Sequence, residues 1–232
     1  MKKISHNDVW LALDTTAQGC HVGLYCHGNI TTLSDMSPQS HAKLILPMIE
    51  SLLIQANITQ SDLTGIIYTQ GPGSFTGVRI GVSVVQGLAL ALGLPTLGVS
   101  SLLALAWQGH CTEGAVNVGA VIDARMGQVY WGHYCFGEHW KVVEQDMLTT
   151  PESIVFDCTI ALIIGNTSLV TLAHSSKPSL KSIEQGKIDI DALFLLVKEG
   201  LMRQTLSWEN ALALPLYLRH DIASLPKNKT IS

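Results

Sequence analysis

The chain has 232 residues, 47% of them hydrophobic, a mean hydropathy of +0.30 and a formal net charge of −4. Only 14% is charged, against a norm of roughly 25%, which predicts apolar surface reserved for a partner. Between Ile4 and Asp123 the only Lys or Arg residues are Lys43 and Arg79, which excludes a protein that grips nucleic acid unaided, since phosphate binding needs clustered cations.

The length fits one large domain or two small ones. The N-terminus carries two lysines, and His6, Asn7 and Asp8 then interrupt any apolar core, so no signal peptide is expected. Strands are predicted over 9–14, 20–25 and 30–33, joined by turns and broken at Ser37 and Pro38. Apolar residues at 44, 45, 48, 49, 52 and 53 form a helical stripe over 41–56, with Pro47 expected to loosen its first turns. A short buried strand over 66–69 leads into GPGSFTGVRIG at 71–81, then a helix over 75–92 stopped by Gly93 and Pro95. A strand over 96–99 and a helix capped by Ser100 or Ser101 follow.

Near Val116 the pattern starts again, with strands over 116–122 and 128–135 flanking an Asp-led turn, DARMG, at 123–127. The repetition of strand, Asp-led turn and strand suggests duplicated units. Further on, Thr150 and Pro151 open a helix, 161–165 is a buried strand, and 190–202 is an amphipathic helix. The expected division is 1–104, 105–218 and a loosely ordered tail over 219–232.

The glycine loop follows a strand and opens a helix, the context of a phosphate cradle. Its spacing fails both phosphate tests. No lysine occurs from Gln55 through Met126, so it is not a P-loop. Gly77 falls one place late for a dinucleotide fingerprint, and no Asp or Glu occurs from Leu63 through Thr112 to hold a ribose. The helix itself carries one charge, Arg79, ringed by Val78, Ile80, Val82, Val84, Val85, Leu88, Leu90 and Leu92. That pattern predicts burial on every side. Leaving four such side chains exposed would cost roughly 6–12 kcal/mol, on the scale of a whole domain's stability of about 5–15 kcal/mol. Cover must come from the chain's second half or from a partner, with Val82 and Val85 on the covered face and the 41–56 helix as neighbour.

Catalytic machinery is not evident. The serine of GSFTG is misplaced for a nucleophile elbow, and no H-E-x-x-H, H-x-x-x-H or C-x-x-C occurs. His21 and His27, and His133 and His139, are spaced for neither helix nor tight turn. Cys20, Cys26, Cys111, Cys135 and Cys158 are an odd set, read as reduced thiols of a cytosolic protein. Asp14, with Thr15, and Asp123 both end strands at turns. They are either a decayed nucleotide site or aspartates that satisfy turn amides.

LALDTTAQGCHVGLY, QGPGSFTGVRIGVSVVQGLALALGLPTLGVSSLLALA, VIDARMGQVYWGHY and PLYLR occur in this order over nearly the whole chain. Together they resemble the TsaB (YeaZ) family. The resemblance implies an α/β ASKHA (actin/sugar-kinase/Hsp70-like) fold of two related domains with mixed sheets. It implies a cytoplasmic, non-catalytic scaffold subunit in making threonylcarbamoyladenosine next to the anticodon of tRNA. The implied partners are a TsaD-like catalytic subunit and a TsaE-like ATPase, with a homodimer when alone, tRNA reached only through the complex, no membrane, no metal and no cofactor. Carried over by position, the pairing surface is His41, Leu44, Ile45, Met48, Ile49 and Leu52 on one helix, and Thr76, Arg79, Ile80, Ser83, Val84 and Gly87 on the other. The alternative is an ATP-dependent transferase, or a peptidase as the glycoprotease label of some relatives implies, acting alone.

Overall fold

The structure, a computed structural model, describes residues 7–37, 41–138, 140–156, 159–166 and 180–219. Pro38, His139, Cys158, the N-terminal lysines and all of the expected tail except Arg219 lie outside them. Strands β1 (Val9–Asp14), β2 (Cys20–Cys26), β3 (Asn29–Asp35), β4 (Gly65–Gly71) and β5 (Thr96–Ser100) form a sheet ordered β3-β2-β1-β4-β5. Strands β6 (Asn117–Arg125), β7 (Gln128–Cys135), β8 (Lys141–Thr149), β9 (Leu162–Gly165) and β10 (Lys181–Glu184) form a second, ordered β10-β9-β6-β7-β8. Counted within each half, the two orders are the same. The first strand pairs antiparallel with the second, and the second with the third. The first pairs parallel with the fourth, and the fourth with the fifth. This duplication of a mixed sheet is the ASKHA-like arrangement.

Among the described residues, helices fill two layers. Helices α1 (His41–Gln55) and α2 (Phe75–Leu92) lie on the outer face of the first sheet. Between the sheets lie α3 (Ser101–Glu113) and α4 (Ile190–Met202). The alternation of β1 shows why: Val9, Leu11 and Leu13 join the outer core, while Trp10 and Ala12 join the central one. The central core is continuous, running from Trp10, Ile67 and Leu97 through Leu102, Ala106, Leu193 and Phe194 to Val118, Ala120 and Ile164. Helix α4, from the second half, packs on the first sheet, and a Cβ at Gly23 would collide with Ile190 and Phe194. Helix α3 runs unbroken through position 104/105 and touches both sheets.

Several expectations need correction. Strands β8 and β10 do not stand out in the sequence, because both lie at an edge and carry mixed, partly exposed residues. Thr150 and Pro151 open only a single 3-10 turn, Pro151–Ser153. Pro47 sits inside α1 without ending it. Helix α2 is not buried all round. Gly77, Val78, Gly81, Val82 and Val85 face inward, so Val82 and Val85 are core rather than partner-facing. On α1, Ile45, Ile49 and Leu52 are likewise packed in this chain's own core. These eight sit at i, i+3 and i+4 spacing against the sheet, the stripe that any surface helix must bury. Charge replacements at Val82 or Val85 therefore unfold the chain rather than merely weaken pairing.

A polar contact ties the second sheet to α3. Ser100, the N-cap of α3, and Tyr134 of β7 both donate to Asp146 of β8. Burial pushes the Asp146 carboxyl above its ordinary 3.8, although both donors pull it back. The folded state therefore holds this proton to higher pH than the unfolded chain. Stability falls as pH rises from the ordinary value through the raised one.

Two outcomes follow for stability. Phe194→Ala, at the fully buried centre of the shared core, lowers unfolding free energy by about 3–5 kcal/mol in urea titration. Asp146→Asn flattens the decline in stability as pH rises above the ordinary carboxylate value, read by urea melts in a pH series that starts there; an unchanged slope removes Asp146 as its source.

Candidate partner-docking surface and glycine loop

The glycine loop closes on the turn after β1. Ser74 N–H donates to the Thr16 carbonyl at 2.8 Å, and Thr15 Oγ1 donates to the Gly77 carbonyl at 2.7 Å. Gly77 N–H donates to Oγ of Ser74, the N-cap of α2, at 3.3 Å. Two donors that a phosphate at this helix terminus would use are already engaged. A Cβ at Gly73 would strike the Thr16 carbonyl, one at Gly77 the Thr15 carbonyl, and one at Gly81 the Thr15 hydroxyl. The glycines allow backbone to meet backbone.

Beneath this contact, Asp14 is fully buried. Its Oδ1 accepts from Thr16 N–H at 2.9 Å, Thr16 Oγ1 at 2.7 Å and Thr69 Oγ1 at 2.5 Å, and Ser101 Oγ donates to Thr16 Oγ1 at 2.9 Å. Asp14 Oδ2 has no partner among the described residues. Asp123, at the matching end of β6, accepts from Arg125 N–H at 2.7 Å and pairs with the Arg125 guanidinium at 3.1 Å. Arg125 and Met126 hold positive φ of 65° and 57° in that turn, and the aspartate satisfies its amide.

Residues 208–219 form a strap from the second half across the first. Thr96 and Glu209 exchange backbone hydrogen bonds at 2.9 and 2.8 Å. Trp208 lies over Gly65 and 5.6 Å from the Trp10 ring. Gln86 Nε2 of α2 donates to the Ala213 carbonyl at 2.6 Å, and Leu216 N–H to the Gln70 carbonyl at 2.7 Å. Tyr217 meets Phe75 and Arg79 at the start of α2. Arg219 reaches the second sheet, donating to the Ala124 carbonyl at 3.0 Å.

What remains uncovered is the outer stripe of α2. Thr76, Arg79, Ser83 and Gly87 are exposed, Ile80 and Val84 half-buried, and Leu90 is 84% exposed. On α1, His41, Leu44 and Met48 are half-buried, while Leu46 and Ile54 are exposed. Nine of the twelve positions expected at a pairing surface thus reach the surface at least in part, the exceptions being Ile45, Ile49 and Leu52. Leu46, Ile54, Phe75, Leu90, Leu212, Leu214 and Tyr217 are apolar surface that the spacing did not single out. By length and composition α2 could cross a membrane, but its inner face is committed to β4 and the outer core.

Activated groups are scarce. Burial, with Asp14 and Asp35 adding, pushes the Cys20 thiol up to about 11, and burial raises Cys26 and Cys111 too. Raised thiols are poor nucleophiles. Among the described residues, no group of three or more His, Cys, Asp or Glu gathers to hold a metal ion.

Comparison with known proteins gives consistent results. The family model described as "TsaD: tRNA N6-adenosine threonylcarbamoyltransferase" matches residues 35–185. The chain is 40% identical over 146 residues to the "tRNA threonylcarbamoyladenosine biosynthesis protein TsaB" of Escherichia coli (strain K12), covering 62% of this chain and 63% of that protein. Identity to the Bacillus subtilis (strain 168) protein of the same name is 42% over 96 residues, 41% of each chain. The chain thus aligns with less than two thirds of these relatives' length. Among solved structures, "YeaZ from Pseudomonas aeruginosa" is 33% identical with a TM-score of 0.79, covering 91% of this chain and all of that one.

Two glycines of α2 predict opposite effects. Gly77→Ala drives a methyl into the Thr15 carbonyl and destabilises by about 1–3 kcal/mol. Gly87 has nothing within 4 Å of a Cβ, so Gly87→Ala stabilises by up to about 1 kcal/mol. Urea unfolding of both variants checks the signs.

Proposed function

The chain belongs to the TsaB (YeaZ) family, and from that premise we propose that it is a non-catalytic subunit in the synthesis of threonylcarbamoyladenosine in tRNA, acting by pairing with a TsaD-like catalytic subunit. One observation carries the pairing: the outer stripe of α2, lined by Thr76, Arg79, Ser83 and Gly87, is left open by the described residues. Small residues there allow a second helix to approach closely, and apolar side chains flank them. In this proposal α1 contributes Leu44, Met48 and the exposed Leu46 and Ile54, and the same face forms a homodimer when the catalytic subunit is absent. A TsaE-like ATPase joins the pair, tRNA is reached through the assembled complex, and the complex is cytoplasmic.

A non-catalytic role also agrees with the state of the glycine loop. Its helix terminus is capped by Ser74 and its backbone is packed on Thr15 and Thr16. Asp14, Thr15 and Asp123 serve here as a degenerate nucleotide site whose groups now hold local structure.

Gly87→Arg tests the reading, because the free chain has room for the side chain and a docked helix does not. The variant melts no lower than the wild type, since Arg is a better helix former than Gly. It loses the heterodimer with the TsaD-like subunit in size-exclusion chromatography with light scattering, weakening affinity by about 100-fold. Modification of tRNA by the mixture of chain, catalytic subunit, ATPase and ATP stops when this chain is omitted or replaced by Gly87→Arg. Turnover by the chain alone, or pairing that survives Gly87→Arg, overturns the proposal.

A further inference from the structure

We propose that Arg79 is a preset guanidinium fork that receives a carboxylate from the partner subunit, its orientation fixed by Phe75 of α2 and Tyr217 of the strap. This rests on the pairing reading above and names the chemistry of the partner's contact. The Arg79 guanidinium carbon lies 3.6 Å from the Phe75 ring centroid and 5.9 Å from that of Tyr217. Its Nε donates to the Tyr217 hydroxyl at 3.1 Å. Stacking and this one bond fix the plane of the group, while its two terminal nitrogens donate to nothing among the described residues. The side chain is exposed, so the open edge of the fork faces outward.

The local sequence holds no counter-charge. No Asp or Glu occurs from Leu63 through Thr112 or from Asn210 through Arg219, and Asp123 is committed to Arg125. A fork with an unfilled edge, set against the rings of Phe75 and Tyr217, matches a planar carboxylate that accepts two parallel hydrogen bonds. A phosphate backbone fits less well: Arg79 is the only cation on α2, the net charge is −4, and nucleic acid demands several cations together. Presetting the fork lowers the ordering entropy lost on binding, and Arg with Tyr is the usual composition of an interface anchor.

Calorimetric titration of the full chain with the TsaD-like subunit tests this in wild type, Arg79→Glu, Arg79→Lys and Tyr217→Phe, with melting temperatures confirming that each variant folds. Arg79→Glu weakens binding by about 100-fold or more, Arg79→Lys by about 10-fold, and Tyr217→Phe by about 3-fold. Exchanging the partner's Asp and Glu residues for Arg, one at a time, restores binding to Arg79→Glu at one position. Arg79→Glu within twofold of wild type overturns the proposal, as does Arg79→Lys equal to wild type, which would mean a point charge rather than a fork. Retained pairing with weakened tRNA binding by the assembled complex assigns Arg79 to nucleic acid and also overturns it. Gly87→Arg separates the two readings. If it abolishes pairing and Arg79→Glu does not, only the fork fails; if the wild-type chain does not pair, the pairing reading fails with it.

Discussion

The layer of α3 and α4 between the two sheets governs the rest of the molecule. Each helix meets apolar surface on more than one side, and the central core that results passes from one half into the other without a seam. Neither half can bury its inner sheet face alone. The duplicated sheets therefore share one packed core rather than facing each other across an open cleft. In a cleft, substrate and water have access; here Leu102, Ala106, Leu193 and Phe194 occupy that space. Surface available for assembly is consequently displaced to the far side of the first sheet, onto α1 and α2.

The same logic applies to the glycine loop. A turn carrying Asp14 and a loop entering a helix are the parts from which a phosphate site could be made. In this chain they are pressed together instead. Thr15, Thr16, Ser74 and Gly77 satisfy one another, and the glycines are needed because the two backbones touch. That closure also fixes the first turn of α2, and with it Phe75, Thr76 and Arg79. Chemistry that would bind a ligand has become chemistry that positions a surface.

Much of this was legible in residue order. Strands β1 and β7 and helices α2 and α4 fall where periodicity and the Gly93 stop put them, and the structure adds N-caps at Ser74 and Asp189. Edge strands β8 and β10 were not legible, since an edge strand needs no unbroken apolar run. On α2 the composition was read correctly, while all-round burial and the placing of Val82 and Val85 were not. Glycine and serine at 77, 81, 83 and 87 look alike in sequence, yet the first two meet Thr15 and the last two meet solvent. Only the position of Thr15, far away in the chain, distinguishes them. The strap was invisible for a similar reason: its hydrogen bonds reach back over 100 residues to Gln86, Gln70 and Tyr68, and no local pattern encodes such partners.

The strap lies C-terminal to every element it holds, so it can close only after those elements have been made. A nascent chain that has emerged only through α2 has neither α4 to fill the shared core nor Tyr217 to orient Arg79. In the proposed pairing, the face around Arg79 is completed only after residues 208–219 have left the ribosome. Products that end before the strap lack Tyr217 against Phe75 and Arg79, so the proposed pairing surface depends on the last described segment being made.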